Sequence, residues 1–259
     1  MIVYLKKSLK LIISIFGVGL LFAFSTLWYF SSDLPDYKIL SNYKPPISSR
    51  VHSGEGNLIA EYALQKRLFI PYNSVPQKVI YSFLSAEDKN FFSHPGVDAK
   101  SITRAIIKNL KNIYSNKRLE GASTITQQVA KNFLLTSEVS LKRKIKEAIL
   151  AFRIERAYSK ERIMELYLNQ IYLGVGTYGI AAASLEYFDK PVSDLNYEEA
   201  ALLAALPKAP SKYNPYKSLE KAKLRRNIVL KNLYENSYID YAQYEKLIKK
   251  KIITKKRKI

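Results

Sequence analysis

From Leu11 to Phe30 the chain runs without a single charge. As a helix rising about 1.5 Å per residue, this stretch reaches about 30 Å, enough to cross a bilayer. Lys6, Lys7 and Lys10 precede it and Asp33 and Asp36 follow. The positive-inside rule then keeps residues 1–10 cytoplasmic and exports everything beyond Phe30. Ala23-Phe24-Ser25 has the small-x-small form of a signal-peptide cleavage site, but a cut there would fall within the apolar run. Trp28-Tyr29 suits an interfacial belt, so 11–30 is expected to be an uncleaved anchor.

Residues 31–49, with Pro35 and Pro45-Pro46, read as a short extended connector. Arg50–Ser53 and Leu58–Tyr62 flank the turn Gly54-Glu55-Gly56-Asn57 and read as two strands. From Pro71 the apolar spacing becomes helical and is expected to stay so. Helices are expected around 79–85, 99–114, 123–134, 140–158, 160–172 and 178–188. Asn196-Tyr197-Glu198-Glu199 has capping-box spacing before an Ala/Leu helix that Pro207 stops. Ser218 and Asp240 open two more helices. With no internal repeat and no strand–helix alternation, residues 50–245 form one mainly α domain, and 246–259 are a basic tail. In the 99–114 helix, Ile102, Ile106, Leu110 and Ile113 make an apolar stripe beside Lys100, Arg104, Lys108 and Lys111. That stripe fits either the lipid interface or the domain core.

Composition narrows the chemistry. The 259 residues carry 42 Lys+Arg against 22 Asp+Glu, a formal charge of +20, so an anionic partner is expected. At 47% hydrophobic and 12% aromatic residues a packed core is expected, not a disordered basic tail. The absence of cysteine excludes disulfides, thiol nucleophiles and thiolate metal sites, and two histidines exclude a His-rich zinc centre. A tethered, exported domain is a poor nucleic-acid binder.

Three segments carry candidate chemistry. Glu87-Asp88 precedes Phe91-Phe92, His94 and Gly96. Gly121-Ala122-Ser123-Thr124-Ile125-Thr126-Gln127-Gln128 gathers hydrogen-bonding side chains at a helix start, with Lys131 one turn on. Ser123 or Thr124 could simply cap that helix, yet such a cluster also suits an anion or sugar hydroxyls. Arg143 and Glu147 stand at i, i+4 with Lys144 between them, the spacing of an ordinary intrahelical ion pair.

In this order the segments resemble the peptidoglycan glycosyltransferases, glycosyltransferase family 51, found alone or as the first domain of class A penicillin-binding proteins. E-D-x-x-F-x-x-H-x-G appears as Glu87–Gly96, G-G-S-T-I-T-Q-Q as Gly121–Gln128 with Ala122 for the second Gly, and R-K-x-x-E as Arg143–Glu147. Ile163–Asn169 with Tyr172-Leu173-Gly174, and Ala204–Pro210 with Tyr213-Asn214-Pro215, also match. The resemblance implies a lysozyme-like, two-lobed fold with one lobe dipping into the outer leaflet of the inner membrane. It implies polymerisation of lipid II through β-1,4 links, with release of undecaprenyl pyrophosphate. Glu87 falls on the family's general base and Glu147 on its second carboxylate. Asp88, Ser123, Thr124, Gln127, Gln128, Lys131, Arg143 and Lys144 fall on cleft positions. No cofactor is required; a Mg or Mn ion on the pyrophosphate is compatible, but no dedicated metal ligands are visible. The implied partners are lipid II, the growing strand, membrane lipid and cell-wall synthesis proteins, with the catalytic domain periplasmic and held by a single-pass anchor.

Penicillin-binding transpeptidases need Ser-x-x-Lys, Ser-x-Asn and Lys-Thr-Gly. Ser218–Lys221 has the first spacing and the other two do not occur. A monofunctional enzyme and a shortened bifunctional protein both remain open, although the Arg50 hairpin looks more like the front of a bifunctional one. A lysozyme-like glycan-cleaving enzyme and a non-catalytic scaffold are the other classes.

Overall fold

A computed structural model describes residues 13, 14, 16–19, 21, 24–26, 28–41, 43, 49–52, 54, 55, 58–62, 65–115, 121–136, 138 and 140–255. Nine helices are defined among them: α1 (Gln77–Glu87), α2 (Ala99–Tyr114), α3 (Ile125–Leu134), α4 (Leu141–Ala157), α5 (Lys160–Gln170), α6 (Ile180–Phe188), α7 (Tyr197–Ala205), α8 (Leu219–Glu235) and α9 (Tyr241–Lys249). Side-chain caps explain many of their starts. Thr124, Asn196 and Asp240 each complete a capping box, while Asp98, Ser140, Ser159 and Ser218 accept from a backbone N–H one turn on.

The helices form two groups. α1 packs on α7 and α8, with α9 against α8; α3 packs on α4 and α5. Val79, Ile80, Phe83 and Leu84 of α1 and Leu202, Leu203 and Leu206 in or beside α7 are buried in the first group. Ile125, Val129, Leu150, Ile154 and Ile163 are buried in the second. Gly96 lets the loop after α1 press onto α4. Its φ is +100°, and a Cβ there would lie 2.7 Å from the Ala151 carbonyl oxygen.

Strands β1 (Ser49–His52) and β2 (Leu58–Tyr62) pair antiparallel, with Ser49 opposite Tyr62 and a bulge at Val51/His52. The expectation of uninterrupted helix beyond Pro71 is corrected: β4 (Tyr172–Gly174) and β5 (Thr177–Tyr178) intervene between α5 and α6. β5 pairs antiparallel with β4 and parallel with β3 (Lys66–Arg67). Glycine makes this turn. Gly174, Gly176 and Gly179 all have positive φ, and a Cβ on Gly179 would meet the Asn169 carbonyl at 2.7 Å.

The connector also departs from a plain extended linker. Tyr37–Leu40 forms a 3-10 turn with Leu40 fully buried. Lys146 Nζ donates to the Asp33 carbonyl and carboxylate at 2.7 Å each, and Arg153 bonds Ser31. Tyr158 donates to the Tyr37 carbonyl and Arg162 to that of Leu40. Residues 31–41 therefore form a collar against α4 and α5. Among the described residues no helix is long and apolar enough to cross a membrane. The expected 11–30 anchor lies partly outside the described residues, while positions 13, 14, 16–19, 21, 24–26 and 28–30 are helical. The 1–10 segment lies outside them, as do 256–259 of the tail.

Candidate active site

α1 ends at Glu87 because Asp88 leaves helical backbone, at φ −159° and ψ 77°. The Asp88 carboxylate turns inward. Both of its oxygens lie 3.0 Å from His94 Nε2, and Oδ2 also accepts the Ile125 N–H at 2.9 Å. Gly96 N–H donates to His94 Nδ1, which assigns the ring proton to Nε2, facing Asp88. Thr124 Oγ1 donates to the Gly96 carbonyl at 2.6 Å and accepts the Gln127 N–H. Gln127 Oε1 accepts the Thr124 N–H in return. Asp88, Thr124 and Gln127 thus tie the first two sequence segments together, with their side-chain oxygens engaged internally.

The remaining heads converge. Gln128 Nε2 donates to Glu87 Oε2 at 2.8 Å. Lys144 bonds Glu147 and donates to Ser123 Oγ at 2.8 Å. Arg143 Nε stands 3.2 Å from Glu147 Oε1, an ion pair without hydrogen-bond alignment, and Glu147 is only 1% exposed. Lys131 lies within electrostatic reach of Glu147, Arg143, Lys144 and Glu87; burial, helped by the neighbouring cations, lowers its ammonium pKa while the carboxylates raise it. Burial pushes the Glu87 carboxyl above its ordinary value. The Gln128 bond and the charges of Arg225 and Lys208 oppose that shift, and Asp88 adds to it.

Glu87 opens into a polar cleft of about 510 Å³. Arg104 and Lys108 of α2 line one side, Arg225, Ile228 and Asn232 of α8 another, with Lys208 and Ser123 also at its wall. Glu87 therefore adjoins two basic groups: Lys131, Arg143 and Lys144 on α3 and α4, and Lys208 and Arg225 with Arg104 and Lys108. In the sequence Arg104 and Lys108 read only as basic neighbours of the α2 stripe, and Lys208 and Arg225 carry no candidate role. Lys208 lay unassigned in the Ala204–Pro210 segment. Arg225-Arg226 break an otherwise apolar buried face of Ala222, Val229, Leu230 and Leu233, a signal that could have marked them. Among the described residues no three His, Asp or Glu side chains converge to hold a metal ion.

The stripe of α2 faces outward. Ile106, Leu110 and Ile113 of the expected stripe, and Ile107 beside it, are between 54% and 60% exposed, while Ile102 is half-buried, and α2 makes no extensive packing with another described helix. Of the two readings open in the sequence, the core is excluded for the exposed residues.

The site is a helical cleft with a carboxylate among basic side chains, and comparison supplies the family. The transglycosylase family model matches residues 55–234, and the chain belongs to that family. It is 49% identical over 255 residues to penicillin-binding protein 1A of Rickettsia prowazekii, covering 97% of this chain and 32% of that one. It is 47% identical over 253 residues to penicillin-binding protein 1A of Aquifex aeolicus, covering 95% and 34%. A crystal structure of penicillin-binding protein 1A from Haemophilus influenzae aligns at TM-score 0.47 and 26% identity, over 83% of this chain and 22% of that one. The chain spans about a third of the length of the Rickettsia and Aquifex relatives. Both carboxylates and both basic groups lie within the matched residues.

Proposed function

We propose that the chain is a peptidoglycan glycosyltransferase that polymerises lipid II into β-1,4-linked glycan and releases undecaprenyl pyrophosphate. The observation that carries this reading is the pair of basic groups beside one half-buried carboxylate. In a transfer between two lipid-pyrophosphate sugars, donor and acceptor each bring an anion to the reacting centre. Cleavage of finished glycan brings none, so a lysozyme-like hydrolase has no use for either group.

The acceptor 4-hydroxyl is too weak a nucleophile unaided. Its oxygen attacks the donor anomeric carbon as its proton passes to Glu87, and the bond to pyrophosphate breaks on the opposite face, inverting the α link. Lys131, Arg143 and Lys144 stabilise the charge that gathers on the leaving pyrophosphate. Glu147 holds Arg143 and Lys144 in place. Lys208 and Arg225, with α2's basic residues, suit the acceptor's pyrophosphate. Gln128 orients Glu87, and Ser123 fixes Lys144. A Mg or Mn ion, if used, would be brought by the pyrophosphate itself.

The exposed isoleucines and Leu110 of α2 would lie in the outer leaflet, with the basic stripe at headgroup level, and the anchor would hold the domain on the periplasmic side of the inner membrane. A reporter fused after Asp36 tests the topology: activity in the exported form is expected, and cytoplasmic activity would overturn it. For function, Lys208→Glu and Arg225→Glu should each raise the KM for lipid II strongly while leaving digestion of preformed glycan absent. Unchanged KM in both variants would remove the acceptor assignment.

A further inference from the structure

Tyr167 belongs to the Ile163–Asn169 segment, to which no chemistry has yet been attached. It is 1% exposed, and among the described residues its hydroxyl has no hydrogen-bond partner. Phenylalanine would fill the same space without burying an unmet polar group, so the oxygen calls for a use. Its surroundings suggest one. The ring meets Phe83 edge-on, with centroids 6.0 Å apart, and Phe83 lies one turn before Glu87 on α1. The hydroxyl is within electrostatic reach of the Glu87 and Asp88 carboxylates, and burial with those two charges raises its pKa well above the ordinary phenol value. It therefore stays a neutral O–H donor.

The neighbouring acceptors are unequal. Asp88 is already held by His94 and the Ile125 N–H. Glu87 receives one side-chain bond among the described residues, from Gln128 to Oε2. Glu87 Oε1 carries no side-chain bond among the described residues and is the oxygen left to take a second donor.

We propose that Tyr167 is a positioning residue that donates its O–H to Glu87 Oε1 during the catalytic cycle, holding the half-buried carboxylate ionised and aimed at the acceptor hydroxyl. The proposal rests on Glu87 being the base. The charged or titratable groups around that carboxylate are Asp88 beside it, His94 behind Asp88, Lys131 of α3, Lys208 before α8 and Arg225 of α8. The cations favour ionisation, while burial and Asp88 oppose it. A donor from α5 adds to the favouring side.

The test uses the full chain in detergent with 13C-labelled glutamate side chains. Glu87→Gln assigns the Glu87 carboxyl signal, whose titration is read without turnover. In Tyr167→Phe its midpoint should rise by about one pH unit or more, because a hydrogen bond to a charged group is lost. The acid limb of the lipid II rate profile should move up with it, and the rate at high pH should return to within about twofold of the parent. A 3-fluorotyrosine at 167, a stronger donor, should move both the other way. An unmet hydroxyl also predicts that Tyr167→Phe melts no earlier than the parent. Unmoved midpoints in both variants, or a marked loss of stability in Tyr167→Phe, would overturn the proposal. A chain whose Glu87 midpoint shifts as expected but which never elongates lipid II would instead sink the glycosyltransferase reading.

Discussion

At the residue scale the two carboxylates differ in kind, and substitution should separate them. Glu87→Gln keeps shape and one hydrogen bond but cannot accept a proton, so turnover should fall about 10²–10⁴-fold. Binding of a pyrophosphate-containing inhibitor should persist, because Lys131, Arg143 and Lys144 are untouched. Glu147→Gln strips Arg143 and Lys144 of their buried counter-charge, so both quantities should change. Stability gives a second reading on Glu87. Its carboxyl is raised in the folded state, chiefly by burial, so ionisation destabilises the fold above that pKa and has no such effect below the unfolded value. Glu87→Gln should therefore melt later than the parent at neutral pH, with the gain vanishing as pH drops below about 4.3. A variant that is no more stable at neutral pH would contradict a carboxyl raised by burial. The motifs made these positions legible, yet they could not say which side chains face substrate. Asp88, Thr124 and Gln127 sit among ligand positions in sequence, while their atoms close the loop onto α3. Thr124→Ala should thus cost about 1–2 kcal/mol of stability as a lost cap, measured by denaturant unfolding.

At the element scale, helical spacing located most helices within a few residues because caps and prolines mark their ends. It could not orient α2, since a stripe facing lipid and a stripe facing a core have the same period. Exposure decides between them. Ile106→Asp with Leu110→Asp should weaken binding of the chain to anionic vesicles while leaving the melting temperature within about 2 °C, as surface changes do. Unfolding with unchanged vesicle binding would return the stripe to the core. β4 and β5 escaped because each is two or three residues long and held by positive-φ glycines, below the length at which alternation can be read. The collar escaped because its bonds run to α4 and α5, more than a hundred residues away in sequence. Local pattern carries no record of such contacts.

At the scale of the whole molecule, the two helix groups bring Glu87 and Gln128 together beside the cleft, and α2 and α8 line its walls. The collar ties residues 31–41 to α4, the helix that also carries Arg143, Lys144 and Glu147. The segment following the expected anchor and the second carboxylate therefore share one support, α4. On the proposed reading the two basic groups around one carboxylate serve two lipid pyrophosphates, and elongation by purified protein tests this most directly. The full chain in detergent, given labelled lipid II, should yield long strands that lysozyme digests, while Glu87→Gln yields none under the same conditions. Intact lipid II after incubation with the parent chain, or strand formation by Glu87→Gln at the parent rate, would contradict the account.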